Sequence, residues 1–206
     1  MLSVGKYPEK TITVRRFMAS VVGAIVLSVA GVVWAQPAIG PTETLKKRDE
    51  TLQKLAGGPN TPDMETKART AIVESFDFAE HSRVSLGKYW KERTKTEQDE
   101  FIQVMRSWTE NRAIKKLLKR SEKTAYASEE IKGEVAMVKT VVLYKGTKTL
   151  VDYKMRLNTG KWQITDMSID GASVALANRD AFYKKIAKTS YQELVKTLRA
   201  KTLETG

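Results

Sequence analysis

The side chains that could act as a catalytic base or nucleophile are few in this sequence of 206 residues. It contains no cysteine and a single histidine, His81, which excludes a cysteine nucleophile, a disulfide and a metal site rich in imidazole. A hydrolase needs a nucleophile activated by a base, but His81 lies between Glu80 and Ser82 without a G-x-S-x-G turn. We therefore expect His81 to be a surface or helix-capping residue.

A carboxylate pair, Asp166 and Asp170, lies near the end of an apolar segment, with spacing that puts both on one face of a strand. Such a pair could carry out acid–base chemistry or hold a metal ion, but a solvated face or loop anchor explains it more simply. Gly171 follows without the glycine-rich pattern that binds phosphate. We predict that the protein is not an enzyme and has no catalytic and no metal-binding residue.

Residues 1–35 have the pattern of an export signal. Four basic residues precede an uncharged run that begins at Phe17, and Val33 and Ala35 occupy the −3 and −1 positions of a cleavage site before Gln36. The alternative is an uncleaved anchor, because the run is just long enough to cross a bilayer. In both cases we expect residues 36–206 to form a single domain outside the cytoplasm.

Basic residues exceed acidic ones, with 36 Lys and Arg against 24 Asp and Glu and a formal net charge of +12. Clusters of them, Lys115–Arg120 and Lys184–Lys188, are typical of solvated helix faces. The alternative is that they contact anionic lipid or a partner protein. Outside the cytoplasm a basic surface meets membranes and envelope proteins, so we expect no nucleic-acid partner.

Helical patterns occupy both ends of the exported part. The sequence predicts a helix over 42–56 and another from Pro62 to about Glu74, with Thr61 as its N-cap. Thr94 with Glu97 and Ser190 with Glu193 form capping boxes that open two further helices, and a helix is expected over 179–187. Because the apolar face shifts after Asn111, we expect a break or kink there.

Between these helices the period changes to that of strands. The segments TAYASEEI, EVAMVKTVVLY, KTLVDYKMRLN and WQITDMSID predict a four-stranded antiparallel meander with turns at glycine. In the third segment, the apolar residues Val151, Tyr153, Met155 and Leu157 alternate with charged ones, which indicates one apolar and one solvated face. The fold class is therefore α+β, with helices packed on one face of the sheet.

Two segments of the chain resemble a known family. FDFAEHSRVSLGKYWKERTKTEQDEFIQVM resembles the "LGxxW" segment and following helix of the MlaC family, also labelled toluene-tolerance auxiliary proteins. VDYKMRLNTGKWQITDMSIDGASVALANRDAF resembles the family's later "DYxxxxxxGxWxIxDxxxxGxSxxxxxRxxF" segment. The chain departs from the family at WTENRAIKKLLKRSEKTAYAS, and it has Ala177-Asn178-Arg179 where an N-aromatic-R sequence is expected.

The resemblance implies a periplasmic phospholipid-binding protein that carries lipid between membranes. Its partners would be an outer-membrane lipoprotein complex and an inner-membrane ABC transporter with an MCE-domain protein, in maintenance of outer-membrane lipid asymmetry. No cofactor is implied other than phospholipid as cargo, and we expect a monomer. A basic rim would attract anionic head groups and membrane surfaces.

We expect an apolar lipid pocket enclosed between the helices and the sheet, although a filled core would have the same sequence pattern. The residues predicted to contact lipid are Phe76, Trp90, Phe101, Met105, Trp108, Val138, Val142, Tyr144, Val151, Tyr153, Met155, Trp162 and Ile164.

Two other functions remain compatible with the sequence. One is an envelope enzyme that uses the same pocket with Asp166 or Asp170 as its base, and the other is a structural interaction module. Against the enzyme, we predict that five polar or small residues are architectural, through ion pairs or helix caps. They are Asp152, which shares the solvated face with Arg156, and Asp166, Gly171, Ser173 and Arg179.

Overall fold

The computed structural model describes residues 39–59, 61–117, 123–144 and 146–204. The expected export signal lies outside these residues. The helices are α1 (Pro41–Ala56), α2 (Pro62–Glu74), α3 (Phe78–Leu86), α4 (Lys95–Leu117), α5 (Val174–Lys188) and α6 (Tyr191–Glu204), with a 3₁₀ segment at Gly87–Glu92. The strands are β1 (Lys123–Lys132), β2 (Val135–Tyr144), β3 (Thr147–Asn158), β4 (Lys161–Ile169) and β5 (Ala172–Ser173). None of the helices within 39–117 and 123–204, the masked positions aside, is long and apolar enough to cross a membrane.

The strands form one antiparallel sheet in the order β1-β2-β3-β4-β5. The α+β class and the meander are confirmed, but the sheet has a fifth strand where four were expected. β5 has only two residues, Ala172 and Ser173, and pairs with the end of β4. A strand of two residues is too short to produce an alternating pattern, which is why the sequence did not predict it.

One face of the sheet is buried, as its alternation predicts. Val138 of β2 pairs with Tyr153 of β3, and both are buried, whereas Lys154 of β3 is exposed. Side chains of directly opposed residues lie on the same face of a sheet. The helices therefore cover the face that carries Val138 and Tyr153.

A β-bulge in β4 keeps its apolar side chains on that buried face. Lys154 pairs with Asp166, but the next residue of β3, Met155, pairs with Ile164, so Thr165 is the extra residue. Beyond the bulge, Met167 lies opposite Tyr153. The extra residue shifts by one position the alternation of side chains between the two faces of β4. Without it, the residues next to Met167 would point inward in its place.

Several helix starts follow the capping signals in the sequence. Thr61 accepts a hydrogen bond from the Met64 amide, and Glu193 N–H donates to Ser190 Oγ over 3.1 Å. The Thr94 and Glu97 box is also present. Of the break or kink expected after Asn111, the break was wrong, because α4 continues to Leu117.

The helix expected over 179–187 begins earlier, at Val174. Ser173 is its N-cap, since its Oγ accepts a hydrogen bond from the Leu176 amide over 3.0 Å. A serine side-chain oxygen satisfies one of the amides that a first helical turn leaves unpaired. The start was missed because Ser173 carries no glutamate three residues later to complete a capping box.

Gly87 allows the chain to turn from α3 into the 3₁₀ segment. Its φ is +54°, and a Cβ there would lie 2.3 Å from Tyr183 Oη on α5. The Lys88 amide donates to the same hydroxyl over 2.6 Å. Only glycine adopts this backbone angle readily and also permits so close an approach.

Candidate functional site

A cavity of about 260 Å³ lies between the buried face of the sheet and the helices. Ligand pockets commonly measure roughly 300–1,000 Å³, so the cavity is slightly smaller than that range. Its wall is mostly apolar and comes from α1 to α5 and from β1 to β4. The lining residues are Arg48, Asp49, Leu52, Gln53, Ala56, Ile72, Ser75, Phe76, His81, Trp108, Thr109, Arg112, Ala113, Thr124, Val142, Val151, Tyr153, Met167, Ile169, Val174 and Asn178.

The structure brings five of the predicted lipid-contacting residues to the cavity wall. Three are from the sheet and two are from the helical side, and they are Phe76, Trp108, Val142, Val151 and Tyr153. Val142 of β2 is 6% exposed, next to the exposed Leu143 on the opposite face of the strand. That these five residues contact lipid stays a prediction. The cavity that they line provides space for an acyl chain.

Seven of the other eight predicted residues lie in packed side-chain clusters. Val138, Met155, Trp162 and Ile164 belong to the core between the sheet and α1 to α3. Phe101 and Met105 are fully buried in a second core between α4, α5 and α6, with Trp90 packed against it. The side chain of Tyr144 lies outside the described residues.

A polar network interrupts the apolar wall on α1. The Arg48 Nε donates to Asp49 Oδ1 over 2.8 Å, and its Nη2 lies 3.3 Å from the Tyr153 hydroxyl. The Tyr126 hydroxyl donates to the other oxygen of Asp49 over 2.7 Å. The Arg48 guanidinium also covers the Tyr153 ring at 4.9 Å from its centroid. The network joins α1 to strands β1 and β3.

Burial and charge act on this network in opposite directions. Burial lowers the pKa of Arg48, but the attraction of Tyr153 and Asp49 outweighs it and holds the pKa above its ordinary value. Burial raises the pKa of Tyr126 well above its usual range, and Asp49 adds to that shift. Arg48 is therefore a permanent cation and Tyr126 a neutral donor.

A groove of about 620 Å³ lies outside the cavity, between α1, α2 and the β3–β4 turn. Arg48 and Ser75 line both spaces. Thr51 and Thr70 in its wall each donate their hydroxyl to the carbonyl four residues earlier. Lys47, Lys67 and Lys161 are the lysines of the groove.

Comparison with known proteins identifies the family to which this architecture belongs. The family model described as MlaC protein matches residues 45–200. The chain belongs to the MlaC family. The matched range begins on α1 and ends on α6, so it includes all the elements that line the cavity. No curated protein matches the chain in sequence.

A similar solved structure is that of a phospholipid-binding protein from Ralstonia solanacearum in complex with a phospholipid. Its TM-score with this chain is 0.69 at 19% sequence identity. The similarity covers 81% of this chain and 99% of that chain. At this level of identity the two proteins share the fold, which is the fold of the MlaC family.

The single histidine of this MlaC-family chain is buried, so its expected place on the surface was wrong. His81 is 3% exposed and lines the cavity from α3. Its Nδ1 lies 3.1 Å from the carbonyl oxygen of Thr165, the bulged residue, and therefore donates to it. Burial lowers the pKa of His81, although this bond and the charge of Asp166 oppose the shift.

Asp166 holds the start of α5. Its Oδ1 accepts hydrogen bonds from the amides of Met167 and Ala175, at 2.8 and 3.0 Å, and its Oδ2 accepts one from Ser173 Oγ at 2.5 Å. All these partners are groups of β4, β5 and α5. Asp166 and Ser173 therefore have the architectural role expected of them.

Two more carboxylates, Asp170 after β4 and Asp77 at the start of α3, also accept hydrogen bonds from backbone amides. Asp170 adopts a φ of +48° before Gly171, at +82°, and accepts a hydrogen bond from the Leu150 amide. Arg156 forms an ion pair at 3.0 Å with the buried Asp77 and not with Asp152. Asp77 also caps α3, so the Arg156–Asp77 ion pair joins β3 to α3. Among the described residues, no group of three His, Asp or Glu side chains could hold a metal ion.

Sequence reasoning missed the polar part of the site. Arg48 and Asp49 lie three and four residues after the buried Leu45, and Leu52 follows at seven. These positions share one helix face, so two charges on an otherwise apolar stripe were a detectable signal. Met167 and Ile169 were missed for another reason, because the bulge that turns them inward has no signature in sequence.

Proposed function

We propose that this MlaC-family protein binds a phospholipid by enclosing its acyl chains in the cavity between sheet and helices. The observation that carries the proposal is a mostly apolar cavity of about 260 Å³, in a fold shared with a protein solved in complex with a phospholipid. Most of the surface that the wall presents to the cavity is apolar, and Asp166 is committed to capping α5. These features suit binding and transport rather than catalysis.

The physical chemistry of acyl chains fits such a site. Transfer of a methylene from water to an apolar surrounding contributes about 0.8 kcal/mol, so a chain gains affinity in proportion to its buried length. A cavity wall of Leu52, Ile72, Val142 and Val151 supplies that surrounding without directional contacts. Binding of this kind depends on the space more than on any one residue.

We further propose that the protein is a periplasmic shuttle, which exchanges phospholipid between an outer-membrane lipoprotein complex and an inner-membrane ABC transporter with an MCE-domain protein. Residues 1–35, with their basic start and uncharged run, support export. Membership of the MlaC family supports the lipid-transport part of the proposal. Residues 36–206 keep an excess of basic side chains, 32 Lys and Arg against 23 Asp and Glu, which favours contact with anionic membrane surfaces.

The decisive test of lipid binding is mass spectrometry of an organic extract of the purified protein. We expect phospholipid in about equimolar amount, and less of it in Ala113→Phe, which places a ring in the cavity. The matched control is Ala200→Phe, because Ala200 is exposed on α6. Wild-type protein that carries no phospholipid and takes none up from vesicles would contradict the proposal.

A further inference from the structure

The cavity wall contains one buried tyrosine whose hydroxyl proton has no acceptor among the described residues. Tyr153 of β3 is 9% exposed and lines the cavity. Its hydroxyl oxygen accepts a hydrogen bond from Arg48 Nη2 at 3.3 Å, and no residue that the structure describes accepts its proton. A donor that loses cavity water to a bound acyl chain and gains no new acceptor is costly, so its place in the wall indicates that the ligand supplies the acceptor.

The surroundings of this hydroxyl orient it and increase its strength as a donor. Arg48 covers the Tyr153 ring and donates to its oxygen, and Asp49 holds the guanidinium at 2.6 Å. A hydroxyl that accepts a hydrogen bond from a cation becomes a better donor, because hydrogen bonds in a chain polarise one another. Tyr126 fixes Asp49 from the other side. The network therefore aligns a donor at one point of an apolar cavity.

The position of Arg48 indicates which part of a ligand meets this donor. Arg48 lines both the cavity and the groove between α1 and α2, so the hydroxyl that it contacts lies where the two spaces approach each other. Lys47 and Lys161 line the groove beyond it. Hydrocarbon cannot accept a hydrogen bond, whereas the glycerol esters and the phosphate of a phospholipid can.

We propose that Tyr153, held by Arg48, donates a hydrogen bond to an oxygen at the glycerol end of the bound phospholipid and thereby determines which lipids bind. The inference rests on the proposed function and adds to it the point at which the lipid is recognised. The oxygen belongs either to an acyl ester or to the phosphate, and these two sources respond differently to changes in the lipid.

The test uses delipidated full-length protein and three probes with matched chains: diacyl phosphatidylglycerol, its dialkyl ether analogue and diacylglycerol. Affinities are measured by displacement of a fluorescent phospholipid. If the acceptor is an ester carbonyl, wild type prefers the diacyl to the dialkyl phospholipid by about 3- to 10-fold, and Tyr153→Phe removes that preference. If it is the phosphate, the two phospholipids bind alike, diacylglycerol binds about tenfold more weakly, and Tyr153→Phe weakens only the phospholipids.

The control variant is Tyr191→Phe. Tyr191 donates its buried hydroxyl to the Glu97 carbonyl in the core between α4 and α6, away from the cavity. We expect it to lower stability without changing the ratios between probes. Folded Tyr153→Phe with affinities within twofold of wild type would overturn the inference and leave the proposed function intact.

The wild-type measurement can overturn the inference even if Tyr153→Phe does not fold. Equal affinity for all three probes would show that no lipid oxygen is recognised, and the inference would then be wrong. Failure of the wild type to bind any of the probes would overturn the proposed function together with the inference.

Discussion

A charge placed in the cavity should prevent lipid binding without unfolding the protein, and Val142→Glu is the most direct form of this test. Val142 is 6% exposed on the inner face of β2 and lines the cavity with Val151. Leu143, its neighbour, is 46% exposed on the opposite face and pairs with Lys148. Leu143→Glu is therefore a matched control on the same strand.

The expected magnitude follows from what the carboxylate replaces. Loss of the buried valine costs about 1.5–3 kcal/mol of stability. In the lipid-free protein, water in the cavity solvates the charge, so most of the remaining cost falls on the lipid-bound state. A carboxylate that keeps about four methylenes out of the cavity costs about 3 kcal/mol of binding, which is roughly a 200-fold loss of affinity.

The assay combines a circular-dichroism melt with the lipid content of the purified variants. We expect Val142→Glu to be folded and almost free of phospholipid at pH 8, and to regain part of its binding at pH 5, because burial raises the pKa of a carboxyl and favours its neutral form. Leu143→Glu should retain the wild-type lipid content. Folded Val142→Glu with a full lipid load would refute the assignment of the cavity as the binding site.

Three further predictions concern stability. Burial lowers the pKa of His81 below its ordinary value of about 6.5. At a pH below 6.5 the unfolded chain therefore binds more protons at His81 than the folded protein does, and stability should fall as the pH decreases from 7 to 5. His81→Asn should lack that part of the pH dependence, and parallel melting curves for the two proteins against pH would contradict the reasoning. Gly87→Ala should cost about 2–4 kcal/mol in urea unfolding, because of its positive φ and its contact with Tyr183. Adding Tyr183→Phe should recover part of that loss, and additive effects would show that the clash is not the cause. Asp166→Asn should cost about 1–3 kcal/mol through its three hydrogen bonds, with lipid content unchanged. An activity abolished by Asp166→Asn in a protein of normal stability would instead indicate catalysis.

Most of the local structure could be predicted because its causes are local. Thr61, Thr94 and Ser190 mark helix starts, since a capping side chain acts on amides within three residues. The alternation in β3 predicted its buried face for the same reason. Prediction failed where the cause is distant in sequence, as at His81. Its buried ring donates a hydrogen bond to the carbonyl of Thr165, which is 84 positions away in sequence.

The sequence by itself determined the α+β class, the inward faces of β2 and β3, and the family that the chain resembles and to which it belongs. Only the tertiary structure decided which inward side chains pack and which leave a space. Val138 and Val142 lie on the same face of β2, yet one is in the core and the other lines the cavity. Periodicity specifies the direction of a side chain relative to its own backbone, whereas a cavity depends on the separation between elements that the chain brings together from distant positions.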